Sequence, residues 1–80
     1  MGLRLEYSDS FKDDLKRLDF KDAQAVLFYL NREIGVREDP RSVGLKRGYY
    51  WRYKTNGLLV TVKIVDEESK IVVVNVTPAL

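Results

Sequence analysis

An Asn-Gly pair at positions 56 and 57, set between two strand-like runs, constrains this chain more than any other feature. The tight two-residue turn of a β-hairpin needs positive φ at its central positions, which Asn and Gly tolerate best. The flanking runs, residues 49–55 and 58–65, are rich in aromatic and β-branched side chains and read as antiparallel partners. DEESK makes a second turn, and the unbroken apolar run 71–76 then reads as a central strand buried on both faces.

The first half has a different period. Leu3, Leu5 and Tyr7 alternate with Arg4 and Glu6, which suggests a short half-buried strand over residues 2–7. The SDS triplet offers helix N-caps, and Phe11, Leu15 and Leu18 follow at helical spacing. A second helix is expected over residues 21–33, with Ala23, Val26, Leu27, Leu30 and Ile34 on one face. Asp19 is placed to cap it, and Gly35 to end it in the left-handed conformation. EDPRS is a turn, because Asp39 precedes Pro40. The expected architecture is α+β, in the order β-α-α-β-β-β, with an antiparallel sheet packed on an N-terminal helical hairpin.

Eighty residues allow one domain, spanning 1–80, and a small core. The chain has neither cysteine nor histidine, which removes disulfides, thiolate and imidazole metal sites, and the commonest general base. No run approaches the ~18 apolar residues of a membrane span. The start lacks the apolar stretch of a signal peptide, and Glu6 stands where a lipidated Met-Gly start needs Ser or Thr. A cytoplasmic protein with no cofactor is expected.

Charge is divided between the halves. Residues 1–40 carry seven bases and nine acids, and residues 41–80 carry seven bases and three acids. The segment RSVGLKRGYYWRYK holds Arg41, Lys46, Arg47, Arg52 and Lys54 with no acid, interleaved with three tyrosines and a tryptophan. Such a field suits phosphate-rich or acidic partners. Strand parity sends Tyr50, Arg52 and Lys54 to one side and Tyr49, Trp51 and Tyr53 to the other. The second trio is favoured as core packing over base stacking. The first trio suits phosphate, with Arg giving bidentate contacts, and an ordinary charged outer face stands as the equal alternative. Lys46 and Arg47 extend the patch, and Lys63 joins it if its side of the next strand faces the same way. Asp66, Glu67 and Glu68 read as a solvated turn rather than a cation site, and Asp13, Asp14, Lys16 and Arg17 as the wet face of the first helix.

The segments EYSDSFKDDLKRL, EDPRSVGLKRG and YYWRYKTNGLLVTVKIVDEE, in this order and spacing, resemble the RelE/ParE superfamily of small toxins from type II toxin–antitoxin systems, with the RelE branch favoured. The resemblance implies a cytoplasmic toxin neutralised by an acidic, partly disordered antitoxin in a hetero-oligomer. It also implies a metal-independent mRNA endoribonuclease, or mRNA interferase, which inhibits translation on the ribosome using Arg, Lys and Tyr. Arg52, Lys54 and Tyr50 then carry catalysis, and Arg41, Lys46, Arg47 and Lys63 bind RNA. The chain departs from the family pattern at Leu59, where an arginine is usual, at Val62 in place of a tyrosine, and in ending at Thr77-Pro78-Ala79-Leu80 without the basic and tyrosine residues that follow the last strand. The alternative is a ParE-like or catalytically degenerate relative acting only through protein binding.

Overall fold

The computed structural model describes residues 3–36 and 39–79. The expected start of the first strand at Gly2, the lipidation site at the Met-Gly pair, Glu38 of the EDPRS turn and the terminal Leu80 lie outside the described residues.

Strand β1 (Arg4–Tyr7) leads into helix α1 (Asp9–Arg17) through Ser8, whose hydroxyl accepts a hydrogen bond from Phe11 N–H at 3.1 Å. That contact satisfies one of the free donors of the first turn. Helix α2 (Phe20–Tyr29) starts after Asp19, which makes no side-chain cap bond. It runs on into a wide π-helical turn, Leu30–Ile34, closed by Gly35 N–H on Leu30 O at 2.7 Å. Gly35 is right-handed, with φ −67°, so the expected left-handed cap is absent. Its lack of a side chain matters for space instead, because a Cβ there meets Leu5 Cδ1 at 3.0 Å and Leu30 O at 3.2 Å.

After a single 3-10 turn, Pro40–Val43, the chain forms β2 (Leu45–Arg47), β3 (Tyr50–Thr55), β4 (Leu58–Val65) and, past the 3-10 turn Asp66–Glu68, β5 (Lys70–Pro78). Asn56 and Gly57 have φ of 53° and 72°, the paired positive values of the tight hairpin turn. The sheet has five strands in the order β1-β5-β4-β3-β2. The wholly antiparallel sheet expected from the sequence is corrected in two respects. β1 pairs with β5 in parallel, Leu5 opposite Ile71, and the basic segment 45–47 is itself an edge strand paired to β3.

The core lies between the helices and one sheet face: Phe11, Val26, Leu30 and Ile34 from the helical side meet Tyr53, Val60, Val62, Ile71, Val73 and Val76. Tyr53 is buried, and its hydroxyl donates to Pro40 O at 2.9 Å, which ties the 39–44 loop to the core. Gly44 lies close to that ring; a Cβ there falls 2.8 Å from Tyr53 Cε1 and 3.2 Å from Trp51 Cε3. Trp51 packs against the core as expected, but Tyr49 does not. It occupies the β2–β3 turn beside Gly48 (φ 61°) and is 89% exposed. Among the described residues no helix covers the outer sheet face, so β5 is buried on one face only, contrary to the reading of residues 71–76 as doubly buried; Val72 and Val74 are half-exposed.

Candidate functional site

The outer face of the sheet carries a cleft of about 750 Å³, and Arg47, Tyr50, Arg52 and Lys54 all line it. The alternation of β3 brings the last three together, and the register Arg47↔Tyr50 adds the first from the edge strand. The floor comes from the neighbouring strands. Thr61 stands opposite Arg52 and Leu59 opposite Lys54, while Thr61 in turn faces Asn75 of β5. Arg52 is half-buried, and its Nε is enclosed without a hydrogen-bond partner among the described residues. A guanidinium left with an unpaired buried donor beside an open cleft is suited to an anionic ligand that supplies the acceptor.

The remaining cations of the basic segment are placed elsewhere. Lys46 pairs with Trp51 and so lies on the helical side of the sheet, where it is exposed. Lys63, two residues after Thr61 on β4, shares the cleft's side of the sheet but stands outside its lining. Arg41 is held in an ion-pair clamp. Its Nη2 donates to both carboxylate oxygens of Asp66 at 2.7 and 2.6 Å, and its Nη1 to Asp39 at 3.1 Å. The hydrogen bond with Asp66 raises the Arg41 pKa above its ordinary value, with Asp39 adding to it and burial opposing it. Arg41 thus fastens the 39–44 loop to the β4–β5 turn, and it accounts for Asp66, the first of the three clustered acids. Among the described residues no three potential metal ligands are gathered at one point.

Two features of the site were not apparent from residue patterns. Thr61 is 8% exposed and polar between Val60 and Val62, and Asn75 interrupts a run of valines. An isolated polar residue inside an apolar run was the only available signal. Asp14, read as part of a wet helix face, is half-buried and accepts from Val76 N–H at 3.2 Å.

A larger concavity, about 880 Å³, lies over α2 and the π-helical turn, lined by Leu27, Phe28, Arg32 and Asn56 among others. Its walls are mainly apolar, and Arg32 lies over the Phe28 ring at 5.3 Å. Despite its smaller volume, the sheet cleft gathers three cations and a phenol, and it is the better candidate for chemistry.

No family model matches the sequence, and no match is found among the curated proteins. Solved structures do match. The RelBE toxin–antitoxin complex of Mycobacterium tuberculosis contains a chain similar at a TM-score of 0.85 and 18% identity, covering 98% of this chain and 99% of that one. The isolated Escherichia coli RelE toxin is similar at 0.77 and 13% identity, covering 99% of this chain and 86% of that one. An archaeal RelE–RelB complex from Pyrococcus horikoshii is similar at 0.68 and 16%, with coverage of 98% and 96%. The fold of this chain is the RelE fold.

Proposed function

We propose that the protein is the toxin of a toxin–antitoxin pair and that its sheet cleft cleaves messenger RNA on the ribosome without a metal. The observation that carries this reading is the convergence of Arg47, Tyr50, Arg52 and Lys54 on one concave sheet face. The likeness of the fold to structures named as RelE toxins and RelBE complexes supports it. The reaction is an internal transfer: the 2′-oxygen attacks the adjacent phosphorus, the P–O5′ bond breaks, and a 2′,3′-cyclic phosphate and a 5′-hydroxyl result. The 2′-hydroxyl gives up its proton and the departing 5′-oxygen gains one. Negative charge builds on the phosphoryl oxygens, and fixed cations facing them lower the barrier. Arg52 takes the phosphate, Lys54 and Arg47 hold the flanking backbone, and Tyr50 and Lys54 are the groups within the cleft suited to proton transfer. Lys63 and Lys46 contribute to the surrounding field rather than to the cleft, and Arg41 contributes through the loop it fastens.

The partner under this reading is an acidic, partly disordered antitoxin that folds on the toxin in a hetero-oligomer in the cytoplasm. The second reading, a relative acting only by protein binding, is favoured by Leu59, which lines the cleft opposite Lys54 where the family pattern has an arginine. Induced expression of the wild type is expected to arrest growth, and the double variant R52A/K54A to lose the arrest while keeping a wild-type melting profile. Arrest that persists at full strength in that variant removes the cleft from the mechanism and favours the second reading.

A further inference from the structure

We infer that Asn75, with Thr61 beside it, selects ribose in the cleft by hydrogen bonding a 2′-hydroxyl of the strand whose phosphates lie on Arg52 and Lys54. The inference rests on reading the cleft as an RNA site. Strand β5 departs from regular alternation. In a regular β5, residues 71, 73 and 75 share a face, so Asn75 enters the core and Val76 points outward. Instead Ile71, Val73 and Val76 are the buried residues, at 0%, 0% and 4% exposure. The extra residue needed between Val73 and Val76 is supplied by a β-bulge. Thr61 pairs with Asn75 and Val62 with Val73, leaving Val74 without an opposite number. The bulge turns Asn75 away from the helices and into the cleft lining.

The first helix holds that bulge in place. Ser8 Oγ donates to Val74 O at 2.8 Å, Ser8 N–H donates to Val73 O at 3.0 Å, and Asp14 accepts from Val76 N–H at 3.2 Å. Local irregularities fixed by side chains from another element re-aim a side chain, and here the side chain re-aimed is a carboxamide.

Arg52, Thr61 and Asn75 form one cross-strand row, on neighbouring strands about 4.8 Å apart. The cation of the row is suited to phosphate. Its two neutral members are donor and acceptor at once, and neither makes a side-chain hydrogen bond to the described residues. A neutral pair adds little to phosphate binding, whereas a ribose hydroxyl, itself donor and acceptor, matches it and is what distinguishes RNA from DNA. The base is free to extend along β3 toward the phenol of Tyr50, two residues before Arg52 and also in the cleft lining.

The test is the affinity of a single-stranded oligonucleotide in ribo and deoxyribo forms of one sequence, by fluorescence anisotropy, alongside message cleavage in translating extracts. Wild type is expected to prefer the ribo form about tenfold, the worth of one well-made hydrogen bond. N75V is expected to bring the ribo affinity down to the deoxyribo value without changing the latter, and R52A to weaken both forms equally. T61V, a nearly isosteric change on a different strand, is expected to reduce the ratio and serves if N75V fails to fold. A wild-type ratio kept in N75V, or a change only in base preference, overturns the inference while RNA binding stands. If neither form binds and message is still cleaved, the inference falls and the nuclease reading stands; if message is also intact, both fall.

Discussion

Arg52 shares the sheet cleft with Arg47 and Lys54, and what sets it apart is an enclosed Nε with no partner among the described residues. Removing a fixed donor aimed at a developing phosphoryl charge commonly costs about 10²–10³ in rate. R52A is therefore expected to lower message cleavage by about 10²-fold or more with melting unchanged, and a loss under about threefold contradicts the role given to it. The placement of Tyr50, Arg52 and Lys54 was legible because a strand's period of two needs no knowledge of the fold. Arg41 was not, because its partner Asp66 lies 25 residues away and a local charge pattern cannot report such a pair. Tyr49 was misjudged for a related reason. Its parity matches Trp51 and Tyr53, but the Gly48-Tyr49 turn ends the strand before parity applies to it.

At the level of elements, the sheet holds together through contacts that the periodicities only half reveal. The β3–β4 hairpin was legible from Asn56-Gly57, since the residue types that tolerate positive φ are few. β2 was not, because three exposed residues, two of them basic, carry no burial pattern. The parallel pairing of β1 with β5 was hidden too, as alternation shows that a strand has an apolar side but not which strand lies beside it. The bulge at Val74 left only the polar Asn75 as a trace. Between loop and sheet, Gly44 is the critical position because the Tyr53 ring, fixed by burial and by its bond to Pro40 O, cannot move aside. G44A is expected to destabilise the fold by about 1–3 kcal/mol in denaturant melts, the usual cost of overpacking. The β1–β5 edge is tied by Lys70, which donates to Glu6 at 3.0 Å and approaches Glu68 at 3.5 Å. Chiefly through the hydrogen bond with Glu6, its pKa is raised above the ordinary 10.5. A raised folded-state pKa means that the ammonium's contribution is fully present below the unfolded value and fades as pH climbs through the folded one. Wild-type stability is therefore expected to fall more steeply than that of K70M above pH 10.5, and equal slopes there contradict the tie.

Over the whole molecule, the acidic half and the basic half take up different tasks. Asp9, Asp13, Asp14, Asp22 and Glu33 of the acidic half lie on the helical segments, while three cations converge on the open sheet face. Binding of a single strand that neutralises charge through Arg47, Arg52 and Lys54 releases counterions, about 0.7 per phosphate engaged. The affinity for single-stranded RNA is expected to fall with a log–log salt slope near −2, roughly three phosphates' worth, and a slope near zero contradicts phosphate recognition in the cleft. The helical layer keeps an apolar concavity around Phe28, separate from that chemistry. A chain this short gains stability from whatever partner covers its surface.

The central claim, a message-cleaving cleft on a RelE fold, is tested most directly by adding the protein to an in-vitro translation reaction and mapping message 5′ ends by primer extension. New ends at codons in the ribosomal A site, absent with R52A/K54A, are the expected result. An intact message, with translation undisturbed at stoichiometric protein, contradicts the account and leaves a RelE fold whose sheet cleft serves only to bind a partner.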